Sequence, residues 1–306
     1  MTPEQLHARL RLPLIAAPMF LVSGPDLVVA ASRTGIIGSF PTVNCRTAAE
    51  LDGWLQRITA ETAGAAPFAA NLIVHRSNPR LAEDLDLLVR YRVPLVIASV
   101  GNPEPVIAPI HDAGGLVYAD IASVRHAEKA IAAGVDGLIL LTAGAGGQTG
   151  WANPFAFVRA VRDLFDGPVV LAGGISDGTA LRAARVLGCD LAYMGTRFIA
   201  TAESMAAPAY KQMLVDSRLD DVLLTRAFSG LETNMLRPSI RAAGLDPDSL
   251  QPRERFDVTE SIDVDKAKAS RWRDIWSAGH SVSGVRDLPA VAALVDRLAA
   301  EYEAAA

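Results

Sequence analysis

The residues with the plainest chemical reading are glycines. Leu171-Ala-Gly-Gly-Ile175 and Met194-Gly-Thr-Arg-Phe198 each end an apolar run with a bare stretch of backbone. Bare backbone lets amide N–H groups approach a phosphate, and a following helix N-terminus adds a favourable dipole. A third stretch, Thr142-Ala-Gly-Ala-Gly-Gly-Gln-Thr-Gly150, carries only Thr142, Gln148 and Thr149 as polar side chains. Its Gly144, Gly146 and Gly150 are spaced G-x-G-x-x-x-G, and the next apolar run ends in Ala172-Gly173-Gly174 with no acid. Both features argue against a dinucleotide fingerprint. Such a loop instead lets a large, flat ligand lie on the backbone. Gln148 donates and accepts hydrogen bonds but exchanges no proton near neutral pH. His75, just after another apolar run, is the imidazole placed to act as acid or base, and a solvated loop histidine beside Arg76 is the plainer reading.

The elements that must position these groups follow a regular rhythm. Short runs rich in Val, Ile and Leu occur at 14–18, 36–39, 68–73, 95–99, 116–119, 137–142, 169–172 and 191–195. Continuous apolar runs of this length mark parallel strands buried on both faces. Ala-rich amphipathic stretches separate them. Several open on Asn before Pro, as at Asn153-Pro154, and several close on Gly, as at Leu187-Gly188. Eight such units predict a closed α/β barrel, the (β/α)8 or TIM barrel, over residues 1–218, with an open doubly wound sheet as the alternative. Ligands of such barrels bind at the C-terminal ends of the strands, and phosphates bind at the last two loops. Those loops hold Gly173-Gly174 and Gly195-Thr196. Residues 219–284 are more charged and are interrupted by Pro238, Pro247 and Pro252. They are expected to form a mostly helical insertion, a lid over the active-site face. Residues 285–306 are expected to supply a C-terminal helix packed on the barrel.

Composition narrows the partners. Half of the 306 residues are hydrophobic, enough for a large core. The net charge of -5, with no cluster of Lys and Arg, argues against nucleic acid. Cys45 and Cys189 fit neither a disulfide framework nor a zinc site, so no metal is expected. No signal-peptide pattern or membrane-length apolar run is visible, so a soluble cytoplasmic protein is expected.

In order and spacing, the pieces resemble the nitronate monooxygenase family, also called 2-nitropropane dioxygenases. The matching pieces are Ala17-Pro18-Met19, Asn71, Ser123-Val-Arg-His-Ala127, the glycine-rich loop, Gly173-Gly174 and Gly195-Thr-Arg-Phe198. They run from Pro13 to about Ser217 and resume at Trp276-Ser-Ala-Gly279. The resemblance implies an FMN-dependent TIM barrel that oxidises alkyl nitronates with dioxygen. It implies that Ala17, Pro18 and Met19 lie against the isoalloxazine ring and that Asn71 faces the ring or the substrate. Ser77 and Gly146 would add flavin contacts. Ala172, Gly173, Gly174, Gly195 and Thr196 would hold the FMN phosphate. The partners implied are a small-molecule substrate and dioxygen, without nucleic acid or membrane, and a homodimer is left open. FMN-dependent enoyl-acyl carrier protein reductases and NAD(P)H:quinone reductases share this framework. An NAD(P)H-dependent reductase and a flavin binder without turnover therefore stay open as alternatives. A Schiff-base lyase barrel is disfavoured, because no strand end carries Lys.

Two positions depart from the family's pattern. The family often has His after the sixth strand, where this chain has Gln148. Related members have Lys where Asp120 falls. A nitronate is already deprotonated, so its oxidation needs no base at position 148. A carboxylate would be repelled by a reduced, anionic flavin, so Asp120 is expected to face another partner. Of the remaining groups, His126 is read as structural or surface, His111 as a helix C-terminal partner and His280 as a residue beside the Trp276 segment, with reach to the substrate the lesser reading. Arg197 is expected to pair with Glu203 or a neighbour, and Trp272 and Trp276 to pack together.

Overall fold

Alternation along the strands sorts the core into two shells. In a computed structural model, which describes residues 1–253 and 275–305, the strands are β1 (Leu14–Ala16), β2 (Ile37–Pro41), β3 (Phe68–Ile73), β4 (Leu95–Ser99), β5 (Leu116–Ile121), β6 (Gly137–Leu141), β7 (Gly147–Gln148), β8 (Val169–Ala172), β9 (Leu191–Met194), β10 (Val222–Thr225) and β11 (Thr233–Leu236). All but β7, β10 and β11 form one closed parallel barrel, in which β1 pairs with both β2 and β9. One set of side chains fills its interior: Ile15, Ile37, Ala69, Ile97, Tyr118, Ile139, Val170 and Leu191, with Leu6 from the N-terminal helix packed against them. The alternate set, including Leu14, Phe40, Val96, Val117, Leu140, Leu171 and Ala192, packs outward against the helices. Both faces of each barrel strand are buried, which is why the runs read as continuous apolar sequence.

The helices obey the local signals. Asn153 caps Pro154–Arg162 by accepting from the Phe155 amide. Asp177 caps Gly178–Leu187, which ends at Gly188 in the left-handed region at φ 113°. The C-terminal helix Val291–Ala304 buries Leu294, Val295 and Leu298 against the barrel's helical layer.

The segment 219–284 differs from the mostly helical expectation in its described part. Residues 222–225 and 233–236 pair antiparallel as β10 and β11, and β11 pairs with β7. Thr233 stands opposite Gln148 and Asn234 opposite Gly147. Among the described residues, helix there is confined to the short Arg237–Ala242 and 3-10 turns at Leu219–Asp221 and His280–Gly284. The physical reason is long-range: the glycine-rich loop after β6 offers a free strand edge, and the Val222-Leu-Leu-Thr225 and Thr233-Asn-Met-Leu236 pair completes it. Trp272 lies outside the described residues.

Candidate active site

At the C-terminal end of the barrel the inward positions change character. A cavity of about 240 Å3 opens there, lined by the ends of all eight barrel strands or the loops that follow them. One wall is small and apolar. Ala17, Pro18 and Met19 line it, and their turn is pinned from behind. The Met19 amide donates to Ser23 Oγ at 3.0 Å, and Asn44 Nδ2 donates to the Met19 and Ser23 carbonyls at 3.1 and 2.8 Å. Asn44 Oδ1 also accepts from the amide of Leu21, whose φ of 60° is unusual for a leucine.

A second wall is backbone. Ala172, Gly173, Gly174, Gly195 and Thr196 all line the cavity. Among the described residues, the amides of Gly173, Gly174, Gly195 and Thr196 meet no hydrogen-bond acceptor. Unpaired amides at a cavity wall are available to an anion. A side chain at Gly174 would meet nothing within 4 Å, and this glycine holds φ +76°. Gly173 has a packing reason as well: a Cβ there would lie 2.6 Å from Thr142 Oγ1. The helix after β8 contributes less than the sequence suggests. Asp177 accepts from Ala180 N and Glu301 Oε2 accepts from Gly178 N, so this chain's own carboxylates occupy its first turn.

The glycine-rich loop forms a third wall through Gly144, Ala145, Gly146, Gly147 and Gln148. Gly144 and Gly146 are small because another segment presses on them. A Cβ on Gly144 would come within 2.6 Å of His280 Nδ1, and one on Gly146 within 2.7 Å of Gly279 N. Gly279 N donates to Thr196 Oγ1 at 2.9 Å, so residues 278–280 tie this loop to the loop after β9. Asn234 Nδ2, from β11, donates to the Ala145 carbonyl at 2.8 Å. Gln148 is half-buried, fixed by β7, and faces the cavity.

The remaining inward positions are polar. Asn71 Nδ2 donates to the Ile97 carbonyl and to Ser99 Oγ, both at 3.0 Å. Asp120 and Tyr193 line the cavity from β5 and β9. Burial alone pushes the Asp120 carboxyl up to about 7. Burial, with the Asp120 charge as a lesser cause, pushes the Tyr193 hydroxyl well above its ordinary range. Among the described residues, neither Asp120 Oδ1 nor the Tyr193 hydroxyl has a hydrogen-bond partner. The partner expected for Asp120 is therefore not found.

Of the residues singled out from sequence, the fold brings Ala17, Pro18, Met19, Asn71, Gly146, Gln148, Ala172, Gly173, Gly174, Gly195 and Thr196 to one cavity. It does not bring His75 and Ser77 there. Their side chains bond each other at 2.7 Å, and Ser77 is exposed. His280 packs behind Gly144, away from the lining. Arg197 is buried and pairs with Asp287 at 3.7 Å, while Glu203 instead accepts from the Val291 amide at 3.0 Å. The sequence reading missed Tyr193, Asn44 and Val100. Val100 lines the cavity at φ 54°, beside Gly101, where a Cβ would lie 2.8 Å from the Val74 backbone. Only inward alternation pointed to Tyr193. The strained φ of a β-branched Val leaves no trace in sequence.

Fold and cavity define the class: a (β/α)8 barrel with unpaired backbone amides facing a cavity at the C-terminal ends of its last strands. The chain belongs to the nitronate monooxygenase family, whose sequence profile matches residues 4–301. It is 28% identical to a nitronate monooxygenase of Paraburkholderia phytofirmans, over 95% of this chain and 92% of that one. It is 30% identical to a 5-hydroxy-7a-methyl-1-oxo-octahydroindene-4-carboxyl-CoA dehydrogenase of Mycobacterium tuberculosis, over 74% of this chain and 64% of that one. The chain thus spans just under two thirds of that dehydrogenase's length. Among solved structures, a nitroalkane oxidase from Streptomyces ansochromogenes superposes with a TM-score of 0.80 at 28% identity, covering 98% of both chains. FabK from Thermotoga maritima shares the fold, with a TM-score of 0.81 at 24% identity, covering 99% of this chain and 96% of that one. No helix among the described residues is long and apolar enough to cross a membrane.

Proposed function

We propose that the protein is an FMN-dependent oxidoreductase that oxidises alkyl nitronates with dioxygen. The observation that carries this reading is the set of unpaired amides at Gly173, Gly174, Gly195 and Thr196 on the wall of the cavity. A phosphate fits such a cradle, and the open space at Gly174 leaves room for it. Ala17, Pro18 and Met19, with Gly146, offer flat apolar and backbone surface for a ring system. Held by these residues, FMN would supply the electron transfer between substrate and dioxygen.

This chain's residues do the rest. Asn44 and Ser23 hold the Ala17–Met19 turn in place. Asn71 commits its amide N–H groups to Ile97 and Ser99, which orients the side chain and leaves Oδ1 for a ligand. Gln148 offers an amide donor to a nitro oxygen. Its position is fixed by β11 rather than by its own loop. His75 and Ser77 have no part in this reading.

The absorbance spectrum of the purified protein tests the cofactor. One non-covalent FMN per chain is expected, and a colourless protein that ignores added FMN would refute it. Anaerobic addition of propyl-2-nitronate and of NADPH to separate samples tests the activity. Bleaching by the nitronate is expected. The dehydrogenase relative favours a second reading, a nicotinamide-linked reductase acting on thioesters. Bleaching by NADPH alone would establish that one instead.

A further inference from the structure

Asp120 occupies an inward position at the end of β5, directly above Tyr118 in the alternation of that strand. Neighbouring strands enclose it on every side. On β6 its register partner is Ile139, and Leu141 lines the cavity above. From β4 come Ile97 and Ser99, and Ser99 accepts from Asn71. Below, the Tyr118 hydroxyl bonds His7 Nε2 at 3.3 Å, at the far end of the barrel. Tyr193 approaches from β9. Tyr210, the other titratable group on the lining, donates to the Ser277 carbonyl at 2.6 Å. Among the described residues, no Lys, Arg or His lines the cavity.

A carboxylate kept only for the fold is hydrogen-bonded or paired, because an isolated buried charge is costly. Here two polar groups, Asp120 Oδ1 and the Tyr193 hydroxyl, lack partners among the described residues and belong to residues that line the cavity. Gln148 cannot exchange a proton, and His75 lies outside the cavity. Among the described residues on the lining, Asp120 is the group able to take a proton near neutral pH.

We propose that Asp120 is the proton acceptor for a carbon acid bound in this cavity, the neutral nitroalkane parent of the nitronate. This rests on the functional reading above and extends its substrate class. In the step, a carboxylate oxygen takes the proton from the carbon that bears the nitro group. The C–H bond breaks and an O–H bond forms. The electron pair stays on the substrate, shared with the nitro oxygens, so the products are a nitronate and a neutral Asp120 carboxyl. No oxidant enters. Burial suits this carboxyl to proton abstraction. Raised to about 7, it is a far stronger base than an ordinary carboxylate and is still half-ionised at neutral pH.

Exchange of the nitroalkane proton with solvent isolates this step from electron transfer. Purified holoenzyme is mixed anaerobically with 2-nitropropane in D2O, and loss of the C–H signal is followed by proton NMR. Wild type should exchange the proton above the buffer rate, with a rate that rises with pH through a midpoint near 7. Asp120→Asn should lose about 100-fold or more of that rate. Tyr193→Phe should retain exchange, since the Tyr193 hydroxyl makes no hydrogen bond to Asp120. Infrared spectra of the protein without substrate give a second readout. A protonated-carboxyl band that titrates near neutrality should be present in wild type and absent in Asp120→Asn. The proposal is overturned if wild type shows no exchange above buffer, or if Asp120→Asn exchanges at the wild-type rate. Bleaching by preformed propyl-2-nitronate judges the functional reading separately. Exchange without bleaching would sink that reading and leave Asp120 as the base. Bleaching without exchange would do the reverse.

Discussion

The two ends of the barrel treat polar groups in opposite ways. At the N-terminal end two carboxylates are satisfied. Asp136 Oδ2 accepts from the Val117 amide at 2.7 Å and pairs with His111 Nε2 at 2.8 Å. Asp190 Oδ2 accepts from the Val169 amide at 2.8 Å and from the Arg162 guanidinium. Each carboxylate ties one strand to the loop before its neighbour, and Leu6 packs fully buried among the interior side chains. At the C-terminal end, Asp120 Oδ1, the Tyr193 hydroxyl and four loop amides have no partner among the described residues. Buried polar groups without partners are rare in folded proteins, and each calls for an explanation. The division teaches that one end of this barrel holds it together while the other is left with bonds to make.

That division is broken most severely by substitutions that reverse it. Asp120 should cost stability where Asp190 supplies it. The folded-state pKa of Asp120, about 7, lies above the ordinary carboxyl range. Folding therefore takes up a proton between about pH 4 and 7. Stability falls as pH rises through that window and levels off above it. Asp120→Asn should remove this slope and raise stability at pH 8 by up to roughly 4 kcal/mol, with little change at pH 4. Denaturant midpoints at the two pH values check it, and a loss of stability at pH 8 would show that Asp120 is a structural anchor. In the opposite sense, Asp190→Ala should lower stability by about 2–3 kcal/mol, because it strands the Val169 amide and removes the one anionic partner, among the described residues, of an Arg162 guanidinium that keeps only the Gly188, Phe165 and Gly167 carbonyls. The flavin content of the protein that remains folded should not change.

Smaller effects sharpen the contrast within the C-terminal end. Gly195 holds an ordinary φ of -103°, and a Cβ there would meet Met19 Sδ at 3.5 Å and Ala17 Cβ at 3.7 Å, both normal contacts. Gly195→Ala should therefore fold normally yet weaken FMN binding by about tenfold or more, some 1.4 kcal/mol. Fluorescence titration beside a thermal melt reads both. Gly195 separates binding from folding better than Gly174, whose φ of +76° would strain any side chain. Gln148→Ala should leave FMN affinity unchanged and lower turnover of nitronate by the worth of one hydrogen bond, about 1 kcal/mol. Steady-state rates check it.

How much of this was legible in the sequence follows from the range of each interaction. The barrel strands could be read because burial on both faces stamps every residue of a run. The loops with the unpaired amides could be read because their glycines sit at the ends of the last two barrel strands. The β7–β11 pairing could not, since a two-residue strand at Gly147–Gln148 exists only because residues 233–234 lie beside it. Gly144 and Gly146 suggested room for a ligand, yet His280 and Gly279 occupy that space behind the lining. His75 was misleading for a local reason: its turn folds back on Ser77. The inward direction of Asp120 was visible in the alternation with Tyr118. Its isolation was not, because that depends on side chains from β4, β6 and β9 at once.

The central claim is that the unpaired amides after β8 and β9 hold a flavin phosphate. Titrating the ligand-free protein with FMN and with riboflavin, which differ only in that phosphate, tests it directly. The account predicts that FMN binds with one site per chain and at least about 100-fold more tightly than riboflavin, a difference of some 2.7 kcal/mol. It also predicts that Gly195→Ala narrows that gap. Equal affinity for the two ligands, or no binding of either, would contradict it.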